Sequence, residues 1–184
     1  MTTWFRAAVI GLAFLTSGAL GQISHAVSAA ELDRKAAAAE KNLLATHDAA
    51  RTLAKEARAI LVFPNIVKGG FMFGGQFGDG ALRRDGRSVA YYRSVAASYG
   101  IQAGVQTFGY ALFLMNDKAL KYLDQSDGWE LGVGPTLVVV DKGTAAALTT
   151  TTARSDVYAF IFDQQGLMAG IGIQGTKITR IHPE

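Results

Sequence analysis

The sequence predicts an α+β fold: a long N-terminal helix packed on a strongly bent, mostly antiparallel sheet or partial β-barrel, with short additional helices. Three observations carry this expectation. Residues 31–61 are rich in Ala, Leu, Lys and Glu, with apolar positions spaced by fours and threes. Pro64-Asn65 ends that pattern. Beyond it come short β-branched and aromatic runs punctuated by glycine and aspartate, as in ILVFPNIVKGGFMFGGQFGDG at residues 60–80.

The helix comes first. Leu32, Ala36, Ala39, Leu43, Thr46, Ala50, Leu53, Ala57 and Ile60 form one mostly apolar stripe over residues 31–61. The charged residues fall off the stripe and nearly cancel, which fits a helix covering the protein's own core. A membrane-surface helix would carry an excess of Lys and Arg on its polar face.

Strands are expected at residues 66–77, 88–99, 102–115, 131–140, 157–162, 166–174 and 177–181, with Asp85-Gly86 as the hairpin turn between the first two. Asn116-Asp117 caps a short helix through Tyr122, and Asp141 opens another through Leu148. Apolar side chains on both faces, as in Tyr158-Ala159-Phe160-Ile161-Phe162, suit a sheet covered on one side by the long helix.

Domain organisation follows from composition. In residues 1–29 Arg6 is the only charge, residues 7–15 are apolar apart from one glycine, and Val27-Ser28-Ala29 offers small residues for cleavage. This reads as a signal peptide of residues 1–29 followed by a single domain at 30–184. An uncleaved anchor is the competing reading, but the apolar run is far shorter than the roughly 20 residues that span a bilayer. The chain has no cysteine, which excludes a disulfide framework, thiolate metal sites and a lipidated cysteine. The expected location is therefore the periplasm, peripheral to a membrane. The formal net charge of +3 is too small to argue for nucleic acid as a partner.

No constellation supports a reaction. GIGIQG at residues 170–175 matches the dinucleotide fingerprint in letters, but the remaining residues alternate like a strand and leave no room for the required helix and acidic residue. Beyond the signal peptide the histidines are His47 and His182, with no triad or metal-ligand spacing. The acidic run at 124–130 lacks the alternate spacing of a calcium loop. The expectation is a protein that is not an enzyme and has no cofactor and no metal site. Thr149 to Thr152 carries no signal beyond strand or turn propensity.

Basic residues flank the first hairpin: Lys68 precedes the Gly-aromatic strand, and Arg83, Arg84 and Arg87 surround the Asp85-Gly86 turn. Such a group suits anionic lipid headgroups. At roughly 1 kcal/mol per basic residue near an anionic membrane, four give only about millimolar affinity. A useful site therefore needs a pocket or inserted apolar groups such as Phe71 and Phe73. The glycines among them, including Gly74, Gly75, Gly78 and Gly80, lack the lysine and hydroxyl of a P-loop and mark a strand that is bent or closely crossed.

Taken together, residues 60–80, ASYGIQAGVQTFGYALFLM at 97–115, GWELGVGP at 128–135 and SDVYAFIFDQQGLMAGIGIQGTKITRI at 155–181 resemble the SYLF domain, also called the yeast actin-patch protein domain. The resemblance runs from about Ala36 to Ile181. It implies a non-enzymatic domain that binds membrane lipids: eukaryotic members bind phosphoinositides and in some cases actin, and bacterial members are exported. Lys68 falls in the family's FPN-x-x-K-x-G block, with Gly70, Gly74 and Gly75 on its glycine positions as sites of close approach. Eukaryotic members use a basic amphipathic N-terminal helix, whereas residues 31–61 here are nearly neutral. The expected function is binding of anionic phospholipid or phosphoinositide headgroups at a membrane surface, with membrane lipids and an envelope protein as partners. The alternative is a structural or interaction protein of the cell envelope. An outer-membrane barrel is weakened by the long charged helix.

Overall fold

The computed structural model describes residues 28–71, 73–99, 104–125, 128–141, 145–146, 148, 153–166, 173 and 175–184; the side chains of residues 71, 73, 98 and 99 fall outside that description. The expected signal segment lies almost wholly outside the described residues. The first helix, α1 (Ala29–Thr46), opens on Ser28, whose Oγ accepts a hydrogen bond from the Glu31 amide.

The single long helix of the sequence reading is corrected to two helices and the start of a strand. His47 is extended, and α2 (Asp48–Ala54) begins immediately after it. Thr46 turns its hydroxyl back on the Asn42 carbonyl at 2.8 Å, and Arg51 donates to the terminal carbonyls of Leu44 and Ala45 at 2.9 and 3.2 Å. These bonds satisfy the orphan carbonyls of a helix end and stabilise the break. Leu43, Ala50 and Leu53 still share one buried face, so the stripe survives the interruption.

The sheet begins earlier than the sequence indicates. β1 (Ala59–Phe71) is paired with β2 (Phe73–Arg84), so the strand expected at 66–77 is the end of one strand and the start of the next. Pro64-Asn65 does not terminate an element. It sits in a bulge of β1, where the register against both neighbours slips, which accommodates a residue with no N–H to donate. Asp85 and Gly86, both at positive φ, form the expected tight turn into β3 (Arg87–Tyr99). β4 (Gly104–Leu114) follows, then α3 (Asp117–Leu123), capped by the Asn116 side chain on the Ala119 amide at 3.0 Å.

The segment expected as one strand at 131–140 splits into β5 (Trp129–Glu130), a turn, and β6 (Leu137–Val139). β7 (Val157–Gly166) and β8 (Lys177–Ile181) complete the sheet. Gly166 closes β7, and the rest of the strand expected at 166–174 lies mainly outside the described residues, as do GIGIQG except Ile173 and Gly175, the 149–152 threonines, and part of the helix expected from Asp141.

The strand order is β5-β8-β3-β2-β1-β4-β7-β6, antiparallel except for the β6–β7 pair. The sheet curls into a half-barrel. Tyr110 of β4 donates to Ser94 of β3 at 2.8 Å across the intervening β1 and β2, a chord that only a strongly curved sheet permits. Burial holds the Tyr110 phenol well above its usual range, so it remains a donor. The concave face is filled by Phe63, Ile66, Phe108, Tyr110, Trp129 and Ile178, with α3 at its mouth. The convex face carries Ile60, Val62, Phe113 and Phe160 under α1 and α2. Strands β1, β2, β4 and β7 thus bury both faces along part of their length, which explains the two-sided apolar pattern.

Candidate functional site

Beyond the Pro64-Asn65 bulge the concave face changes character. Lys68 of β1 is paired with Gln76 of β2 on one side and Gln106 of β4 on the other, and all three are buried, Lys68 at 8% exposure. In the next concave row, nearer the strand ends, Gly70 is paired with Gly74 and with Gly104. A Gln–Lys–Gln row therefore sits behind a Gly–Gly–Gly row. Glycines here leave space through which a ligand can approach the polar groups. Gln76 Nε2 donates to Thr176 Oγ1 at 2.9 Å, and the Thr176 carbonyl accepts from the Leu131 amide, so β2 is fastened to the chain segment entering β8.

The structure separates the basic residues that the sequence grouped. Arg83 lies farther along β2 than Gln76, at about 3.3 Å per residue roughly 23 Å from the Lys68 row. Arg83 is also committed elsewhere: it is ion-paired with Glu40 of α1, donates to the Gly86 carbonyl at 2.9 Å and contacts Ser88. Arg84 is exposed and donates to the Arg58 carbonyl at 3.2 Å, beside a cleft of about 270 Å³ between α1, α2 and the hairpin. Arg87 is exposed at the same tip. These arginines belong to the opposite end of the strands from Lys68 and do not share a ligand with it.

The glycine expectations divide in the same way. Gly70 and Gly74 line the concave row, but Gly75 faces the other side, where an added Cβ would meet the Ala96 carbonyl oxygen at an ordinary 3.5 Å. Farther along β2 the glycines are crowded: an added Cβ would fall 2.5 Å from the Asn65 oxygen at Gly78 and 2.6 Å from the Val62 oxygen at Gly80.

On the convex side of the same strand ends, Val67, Phe77 and Val95 form one exposed cross-strand row, and Val105, Gly69, Gly75 and Ala97 form the next. None of these seven residues is charged. The Arg93 guanidinium lies 4.8 Å from the Phe77 ring centroid, and Lys177 closes the first row beside Val95. The side chains of Phe71 and Phe73 lie outside the description. A cavity of about 430 Å³ beside His47, Val140 and Phe160 brings no cluster of charged groups together.

The pairing of Gln76 and Gln106 with Lys68 escaped the sequence reading. A signal was present: Lys-Gly-Gly-Phe-Met-Phe-Gly-Gly-Gln at 68–76 is nearly symmetric about Met72, and a hairpin centred there pairs Lys68 with Gln76 directly.

Residues 95–182, from the end of β3 through β8, match the family model described as Ysc84, Las17-binding protein actin regulator. This is a match to the SYLF domain family over residues 95–182, a little under half of the chain. The match starts within β3, so the Lys68 row and its glycines owe only Gln106, Gly104 and Thr176 to the SYLF region matched. No curated protein matches the chain. Among the described residues no helix is long and apolar enough to cross a membrane.

Proposed function

We propose that this SYLF protein is an exported, non-enzymatic lipid-binding domain that meets an anionic membrane surface with the glycine-rich end of its half-barrel and holds a phospholipid headgroup at Lys68. The observation that carries the reading is the Gln106–Lys68–Gln76 row behind the Gly104–Gly70–Gly74 row. It combines a cation, amide groups and an approach over glycine backbone, all on paired strands. The match of residues 95–182 to the SYLF family model supports it, as does the exposed apolar convex surface at the same end. Arg84 and Arg87, about 1 kcal/mol each near an anionic surface, contribute to long-range attraction only.

The reading is tested by co-sedimentation with vesicles of phosphatidylcholine alone and with phosphatidylglycerol added. Binding should require the anionic lipid and fall at least tenfold in Lys68→Gln. Equal binding to both vesicles, or an unchanged Lys68→Gln, would remove Lys68 as the headgroup site.

The second reading, an interaction protein of the cell envelope, draws on the same exposed convex rows. Edge-to-edge sheet growth is not its mechanism, because the edge strands β5 and β6 span only two and three residues.

A further inference from the structure

We infer that the Lys68 row selects a phosphodiester that also carries a hydroxyl group, and that Gln106 reads that hydroxyl. The inference rests on the proposal of Lys68 as a headgroup site and specifies which headgroups fit. The two amides flanking Lys68 are not equivalent. Gln76 is closed by its bond to Thr176. Gln106 is 4% exposed, and its Oε1 accepts a hydrogen bond from no described group.

A buried acceptor without a donor is uncommon, because it carries the cost of lost hydration with no return. On this inference a ligand enters over the backbone of Gly70 and Gly104 and meets the buried oxygen beside the lysine. The ammonium favours a phosphate, but an ionised phosphodiester offers only acceptors and cannot satisfy Gln106 Oε1. A hydroxyl on the esterifying alcohol can. Glycerol-type and inositol-type headgroups have both parts, whereas a methyl ester of the same charge has only the first. Sites built to hydrogen-bond a hydroxyl reject the analogue lacking it far more strongly than an apolar pocket does.

Calorimetric titration of the full chain with short-chain phosphatidylglycerol and short-chain phosphatidylmethanol isolates the hydroxyl at constant charge. The expected result is binding about tenfold tighter for phosphatidylglycerol. In Gln106→Met the two lipids should come within twofold, with phosphatidylmethanol binding retained. Equal affinity of the wild-type protein for both lipids would overturn the inference, whatever the variant does, and so would discrimination that survives in Gln106→Met. If the wild-type protein binds neither lipid, the Lys68 headgroup reading itself fails. Deacylated glycerophosphoglycerol distinguishes the source: affinity equal to the lipid's assigns the site to soluble polyol phosphates, and affinity much below it assigns the site to membrane lipid.

Discussion

Glu40 of α1 and Arg83 of β2 form an ion pair at 18% and 9% side-chain exposure, fastening the N-terminal helix to the first hairpin. The two residues are far apart in sequence, and each looks like an ordinary surface charge. Their pairing converts a residue expected to meet lipid into part of the scaffold.

The consequence is a stability effect at Arg83. Arg83→Ala leaves the Glu40 carboxylate partly buried and without its main partner, and also removes the bond that holds the Gly86 carbonyl. Breaking such a pair costs roughly 2–4 kcal/mol at this degree of burial. Urea unfolding should show a loss of that size, with Glu40→Gln partly offsetting it in the double variant. Vesicle binding per folded molecule should not change. A fully stable Arg83→Ala with weakened lipid binding would return Arg83 to the binding surface.

Asp156 ties three elements together. It accepts from Lys118 Nζ at 2.9 Å, from the Thr136 amide at 2.8 Å and from Asn116 Nδ2 at 2.7 Å. The Lys118 bond first, then the Thr136 amide and Asn116, hold its carboxyl far below the usual carboxylate range. The native state therefore binds this proton less readily than the unfolded chain does. Its contribution is present in full above about pH 4 and is lost as the pH falls below that value. Asp156→Ala should cost roughly 2–3 kcal/mol at neutral pH. The difference from wild type should shrink during acid titration, followed by circular dichroism. A difference that stays constant down to pH 2 would show that the charge of Asp156 is not what matters.

The two glycine environments make a sharper contrast. At Gly80 a Cβ would fall 2.6 Å from the Val62 backbone oxygen and 2.6 Å from the Phe63 ring, neither of which can swing away. Gly80→Ala should destabilise by about 1–3 kcal/mol through overpacking. Gly75→Ala, with only an ordinary contact to meet, should change stability by under about 0.5 kcal/mol. Thermal unfolding of the pair decides it: similar losses at both positions would show that the strands tolerate or reject side chains uniformly.

How far the sequence could be read depended on whether the determining contact was local. The Asp85-Gly86 turn and the Asn116 cap were legible because a few adjacent residues determine each one. The half-barrel was legible in outline from the two-sided apolar runs. The break at His47 was not, because the apolar spacing continues through it and the deciding bonds come from Arg51 reaching back to α1. Pro64-Asn65 was misread for the complementary reason: a proline ends a helix pattern, yet in an already bulged strand it costs no ladder bond. Lys68 was singled out from its own block, but Gln106 becomes its neighbour only once β1 and β4 are placed in register, and no local pattern fixes that register. The arginines were grouped with Lys68 by nearness in sequence to the Asp85-Gly86 turn, but that turn lies at the far end of β2 from the Lys68–Gln76 pair.

The convex face provides the last prediction. Phe77 is 48% exposed and Val105 64%, in two adjacent rows that continue the glycine-rich end. Arg93 stacks on the Phe77 ring while holding Asp79 through two bonds at 2.8 and 3.0 Å, so its charge stays at the rim of the apolar surface. An exposed apolar surface bordered by cations suits the boundary between headgroups and acyl chains. Moving one exposed phenylalanine side chain into that boundary is worth about 1.5–3 kcal/mol at most, and the ring is already half-buried. Phe77→Ser should therefore weaken binding to phosphatidylglycerol vesicles by about 5- to 10-fold, leaving the affinity for monomeric short-chain phosphatidylglycerol at the Lys68 row within twofold. Equal losses for vesicle and monomeric lipid would mean that Phe77 acts on the headgroup site through the sheet; no loss for either would mean that this face stays in water when the protein binds.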